Sequence, residues 1–226
     1  FFVGLLAYFP NKKERSQIKI REGFLIVAIF WFVLSFFGAI PFLMDESLKF
    51  SLVDAVFESA SGWTTTGATV ISNVDNLNRP LLLYRQLLQW LGGIGIVVLV
   101  LAILPILGVG GMYLYKAETS SPVKDNKLSP RITETAKSLW GVYIVLTIAC
   151  AVLYKIAGMS YFDAIGHSFS TVSIGGFSTH DASIGFYSSD LIKIICMVFM
   201  FLSALNFVLH FLFYKNKSLM VYTSNS

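Results

Sequence analysis

Two short polar loops carry the chemistry this sequence offers: Thr64-Thr65-Thr66-Gly67-Ala68-Thr69 and Ser173-Ile174-Gly175-Gly176-Phe177-Ser178. Neither holds a carboxylate, a Cys or a His, so neither supplies an acid, a base or a strong nucleophile, and no enzyme is expected. What they do supply is backbone. Successive carbonyl oxygens turned into a narrow passage can replace the hydration shell of a monovalent cation, and glycine permits the unusual dihedrals such a loop needs. For either loop taken singly, a Thr-Gly turn that satisfies its own hydrogen bonds is the plain alternative.

The remaining polar residues have structural readings beside functional ones. Asp54 and Asp163 open the short segments that precede the loops, where helix capping accounts for them as well as ion chemistry would. Glu58 and His167 occupy equivalent positions with different charge, which argues against a shared proton relay. Glu58→Gln is accordingly expected to disturb the loops far less than a change at Gly67 or Gly176. His210 follows Asn206 by one helical turn, a spacing that fits hydrogen bonding to a neighbouring helix better than ligation. Gly92, Gly93 and Gly95 read as a close-packing face, with a hinge as the alternative. Cys150 and Cys196 lie inside apolar runs and read as packing residues, so neither a disulfide nor a zinc site is expected.

The elements that must position these loops are membrane helices. Of the 226 residues 55% are hydrophobic and 13% charged, with twenty phenylalanines and a mean hydropathy of +0.70; a soluble domain carries roughly 25% charged residues. A formal net charge of +4, spread over few ionisable groups, makes no basic face for nucleic acid. Uncharged windows run over 23–44, 86–115, 138–154 and 194–214, each long enough for, or close to, the roughly 20 residues a span needs. Lys12, Lys13, Arg15, Lys19 and Arg21, then Lys116, Lys124, Lys127, Arg131 and Lys137, then Lys215 and Lys217 fall between or after spans on one side, which the positive-inside rule assigns to the cytoplasm. The opposite side has a surplus of acidic residues.

The sequence also repeats. At an offset of 109 residues "DAVFESASGWTTTGAT" lies over "DAIGHSFSTVSIGGFS", with the flanking apolar runs in register. Each repeat reads as a helix, a short segment (Leu52 to Gly62, Tyr161 to Thr171), a polar loop and a second helix. An eleven-residue helix is about 16 Å long, half the hydrocarbon thickness. Both long helices of a repeat put their facing ends outside, so the short helix must dip in and return as a loop, tolerated only where it is buried or lines a watery path. An amphipathic segment lying on the membrane surface is the alternative.

The stretches "ESASGWTTTGAT", "RQLLQWLGGIGIVVL", "LPILGVGGM", "DNKLSPRITETAKSLW", "FDAIGHSFSTVSIGGFSTHDASIG" and "ALNFVLHF" closely resemble the TrkH/KtrB superfamily of potassium transporters, from about Arg21 to His210. The resemblance implies an all-α polytopic protein of the bacterial inner membrane, with four helix–pore-helix–filter loop–helix units of the potassium-channel type. It further implies a homodimer with a cytosolic nucleotide-binding regulatory subunit of the TrkA type, K+ as the transported ion, and no organic cofactor. The positions matching the family's filter, which would hold K+ through backbone carbonyls, are Thr65, Thr66, Gly67, Ile174, Gly175 and Gly176. The expected organisation is a helix remnant over 1–9, a cytoplasmic loop over 10–22, a first pore unit over 23–110, a cytoplasmic loop over 111–137, a second pore unit over 138–214 and a cytoplasmic tail over 215–226. Two of the four units are present, and the family's gating loop in the third unit and basic residue in the fourth have no counterpart, so the chain reads as a fragment of a transporter. A secondary transporter of another small solute and a non-conducting assembly partner are the alternatives.

Overall fold

The structure, a computed structural model, describes residues 20–103 and 128–205. The expected remnant over 1–9, the residues Asn206 and His210, and the tail over 215–226 lie outside the described residues. Seven α-helices are described: α1 Ile20–Gly38, α2 Ile40–Met44, α3 Leu52–Trp63, α4 Arg79–Ile103, α5 Leu128–Ile156, α6 Tyr161–Val172 and α7 Asp190–Ala204. No strand occurs among the described residues.

The 109-residue offset is reproduced in three dimensions. α3 and α6 have twelve residues each and begin and end at equivalent positions. Each starts on a serine, Ser51 or Ser160, whose side chain accepts a hydrogen bond from the backbone N–H three residues on. Asp54 and Asp163 are therefore not the capping residues themselves. They stand at the third helical position, and Asp54 closes a reciprocal capping box with Ser51, a device that satisfies two otherwise unpaired donors.

Hydropathy placed the helix bounds less well than the repeat did. The apolar window 23–44 is two helices, because Pro41 stands in the first turn of α2 and cannot continue the hydrogen-bond ladder of α1. α4 starts at Arg79 and so contains Arg85, which the charge-free window 86–115 left out. α5 begins at Leu128, well inside the segment expected to be a cytoplasmic loop, since polarity alone does not end a helix. Among the described residues Val27–Met44 and Ala136–Ile156 are long and apolar enough to cross a membrane. The expected spans 86–115 and 194–214 continue outside the described residues.

α3 packs against α1 and α4, and α6 packs against α4, α5 and α7, so α4 lies against both short helices. Two glycines make that possible. A Cβ on Gly92 would collide with the backbone carbonyl of Trp63 at the end of α3, and one on Gly93 would sit 2.9 Å from the Ser173 side chain at the end of α6. Gly95 has only an ordinary contact with Trp31. The close-packing reading therefore applies to Gly92 and Gly93. The core around α5 and α6 contains Leu139, Tyr143, Cys150, Tyr154 and Cys196, with both cysteines free and buried as packing residues. Outward-facing side chains are strongly apolar, with Phe32 79% and Phe201 67% exposed. Apolar surface on that scale suits lipid or another protein rather than water.

Candidate functional site

Both short helices end in the same way. Thr65 N–H donates to Gly62 O and Thr66 N–H to Ser61 O; 109 residues on, Ile174 N–H donates to Thr171 O and Gly175 N–H to Ser170 O. This nested pair is the Schellman arrangement, whose turning residue adopts the left-handed conformation normally reserved for glycine. Here Thr65 and Ile174 occupy it, each at φ 54°. A β-branched residue in that region is strained. The strain recurs at the same point of both loops, and such strain persists only where surrounding structure fixes the backbone.

Two residues further on, Gly67 (φ 76°) and Gly176 (φ 85°) are left-handed again. Left-handed residues at alternate positions hold each loop off the helical path. In the second loop Ile174 and Gly176 are exposed while Gly175 and Phe177 are buried, so one edge of that loop is open. The two loops meet backbone to backbone: a Cβ on Gly67 would strike the carbonyl oxygen of Gly175. Of the six positions expected to form the site, Gly67, Gly175 and Gly176 are thus brought together. Thr65, Thr66 and Ile174 stand at the helix ends beside them. The Gly175 carbonyl accepts a 2.6 Å hydrogen bond from Gln89 Nε2. A cavity of about 370 Å³ adjoins the second loop, with Ile174, Gly176, His167, Ser170 and Met200 among its lining residues.

Each loop is tied back to its own short helix at equivalent positions. Thr69 Oγ1 donates to Glu58, and Ser178 Oγ lies 2.9 Å from His167 Nε2. The same hydroxyls accept from the backbone N–H two residues on, Ile71 and His180. Glu58 is fully buried and also accepts from Val70 N–H at 3.0 Å. Its charge is met by Arg85, itself 1% exposed, at 2.8 Å. The sequence argues only against a proton relay shared by Glu58 and His167 and assigns Glu58 no structural role; in the structure it is the buried anchor of the first loop. Where the second unit uses His167 for the same job, the position equivalent to Arg85 is Ile194, so a group that can be neutral has no cation to pair with.

Arg85, Gln86 and Gln89 share one face of α4, and sequence reasoning gave them no role. Arg85 reaches the Ser178 carbonyl at 3.4 Å and lies over the Phe177 ring at 4.2 Å. Gln86 donates to Gly166 O at 3.0 Å and Phe177 O at 3.2 Å in the orientation that satisfies both. Gln89 donates to Gly175 O and accepts from Phe177 N–H at 3.0 Å. The available signal was three polar residues within about one turn of an apolar helix, each of which must find a partner when buried.

A clasp between the segments that follow the two loops completes the site. Asp181 accepts from Val74 N–H at 2.8 Å, and Asp75 accepts from Asp181 N–H at 3.2 Å and from His180 Nδ1 at 2.6 Å. Asp163 also faces His180, at 3.8 Å. These bonds, the one to His180 first and that from the Asp181 backbone next, hold the Asp75 carboxyl below its ordinary range. A carboxyl lowered on folding stabilises the folded state above its unfolded pKa and loses that contribution as pH falls through the folded value. Unfolding in detergent should therefore become easier as pH drops below about 4. Asp75→Asn should flatten that dependence; an unchanged pH slope in the variant would deny Asp75 this part.

The TrkH profile, described as a cation transport protein, matches residues 1–225. The chain belongs to the TrkH family. It is 57% identical over 219 residues to the Trk system potassium uptake protein TrkH of Halomonas elongata, covering 97% of this chain and 45% of that protein. With the protein of the same description from Escherichia coli K12 the identity is 56% over 220 residues, covering 97% of this chain and 46% of the relative. The crystal structure of the potassium transporter TrkH from Vibrio parahaemolyticus superposes with a TM-score of 0.85 at 49% identity, over 99% of this chain and 45% of that one. The chain thus spans less than half the length of the TrkH relatives it matches.

Proposed function

We propose that the two loops are two walls of a four-walled potassium filter, and that the chain supplies two of the four pore units of a multi-pass transporter in the bacterial inner membrane. The observation that carries this reading is the left-handed backbone at Thr65 and Gly67 and again at Ile174 and Gly176. A turn that merely satisfies itself has no need of strain at matched positions in two loops. Gly175 N–H is bonded to the end of α6, so the carbonyl of the same trans peptide, that of Ile174, points away from the helix toward the open edge. In this reading the carbonyls of Thr65, Thr66, Gly67, Ile174 and Gly176 face the ion, and Gly175 holds the loop through Gln89. α3 and α6, each about 18 Å long, are re-entrant pore helices whose partially negative C-terminal ends favour a cation.

K+ is the ion, because the Escherichia coli and Halomonas elongata relatives are potassium uptake proteins. By the family resemblance, a cytosolic nucleotide-binding subunit of the TrkA type and a second copy of the transporter are the partners, and the transported ion is the only bound species required. The test is a chimera in which this chain replaces the matching segment of the Escherichia coli relative, reconstituted in liposomes. Potassium flux well above sodium and choline flux is expected. Equal flux of potassium and sodium would reject the filter, and choline flux would favour a solute transporter.

A further inference from the structure

We infer that Gln89 is a positioning residue for ion selection: α4 of the first unit sets the peptide directions in the filter loop of the second. This rests on the filter reading above. The carboxamide of Gln89 is fully buried and grips two backbone groups that flank Gly176, donating to Gly175 O and accepting from Phe177 N–H. No cis peptide is present among the described residues. In a trans peptide N–H and C=O point in opposite directions. Holding Phe177 N–H toward α4 therefore turns the Gly176 carbonyl away from α4, to the exposed edge of the loop. Holding the Gly175 carbonyl toward α4 removes it from that edge. One side chain thus fixes two consecutive peptides in opposite senses.

The glycine at position 175 has the same origin. Its backbone is not left-handed, yet a Cβ there would collide with the Gln89 carboxamide, with Nε2 at 2.8 Å. The equivalent residue of the first loop is Thr66, which keeps a side chain. Gly-Gly in the second loop is consequently a fit to Gln89 and not a demand of the turn alone. The device is one-sided, since the positions of α7 equivalent to Arg85, Gln86 and Gln89 are Ile194, Ile195 and Val198.

The test uses the chimera above and two readouts. Gln89→Leu removes both hydrogen bonds at nearly constant volume and should lower potassium preference over sodium about ten-fold, the scale of one or two buried hydrogen bonds, with sodium flux rising relative to potassium flux. Hydrogen exchange at Phe177 N–H should rise in the same variant. Gly175→Ala, whose Cβ collides with the Gln89 carboxamide, should lose both potassium flux and selectivity, and Gln89→Ala combined with Gly175→Ala should recover flux, by making room, without recovering selectivity. An unchanged ion ratio in Gln89→Leu, a proportional loss of both ions, or full recovery of selectivity in the double variant would each overturn the inference. A parent chimera that does not discriminate potassium from sodium at all rejects the filter reading, and Phe177 exchange then still decides whether Gln89 holds the loop.

Discussion

Gly67→Ala should abolish potassium selectivity in the chimera, whereas Gly176→Ala should only weaken it. Both residues are left-handed, at φ 76° and 85°, and an alanine in that region costs about 1–2 kcal/mol. That shared cost amounts to roughly ten-fold in a conformational equilibrium, 1.4 kcal/mol being a factor of ten. The surroundings differ. A Cβ on Gly67 falls on the carbonyl oxygen of Gly175, a backbone atom already fixed by Gln89, so relief requires one loop to move away from the other. A Cβ on Gly176 meets nothing closer than the Gly67 Cα at 3.9 Å. In the filter reading proposed above, carbonyls of both loops replace the ion's hydration shell, and only the first substitution displaces both loops at once. The measurement is the potassium-to-sodium flux ratio together with growth of a potassium-uptake-deficient bacterium at low potassium. Equal loss in the two variants, or greater loss in Gly176→Ala, would reject the loop contact as the determinant.

The two glycines were legible as a pair in the sequence, but their inequality was not. A repeat read at a fixed offset brings out the short helices and the paired Gly67 and Gly176, while the serine caps and the Thr69 and Ser178 hydroxyls bonded back to Glu58 and His167 needed the structure. The repeat hides what one unit does for the other. Gln89 reaches Gly175 across 86 residues and Arg85 reaches Ser178 across 93, and their counterparts in the second unit are apolar, so no self-comparison marks them. Charge-free windows hid Arg85 a second way. A charge inside an apolar helix was taken as a boundary, while a paired, buried charge is compatible with the helix interior and marks a site. The anchoring role of Glu58 went unread for the related reason that its difference from His167 was weighed without Arg85, the partner that accounts for it.

Glu58 and Arg85 should show strong coupling in a double-mutant cycle. The side chains are 0% and 1% exposed and 2.8 Å apart, so solvent screens the pair little, and removing one partner leaves the other as an uncompensated buried charge. Breaking such a pair costs roughly 3 to 5 kcal/mol, whereas replacing both partners together is often close to neutral. The second unit already displays a charge-free solution, His167 with Ile194 at the equivalent positions. Glu58→His alone strands Arg85; Arg85→Ile alone strands Glu58 while leaving Thr69 and Val70 bonded to it. The double variant restores a neutral anchor for the Thr69 hydroxyl. It still loses the Arg85 contacts with the Ser178 carbonyl and the Phe177 ring, so wild-type stability is not expected. Unfolding in mixed micelles of rising denaturing-detergent content should place the double variant above either single one, with a coupling of about 2 kcal/mol or more. Additive losses would mean that the pair is not what stabilises the first loop, and that Arg85 acts through the second loop alone.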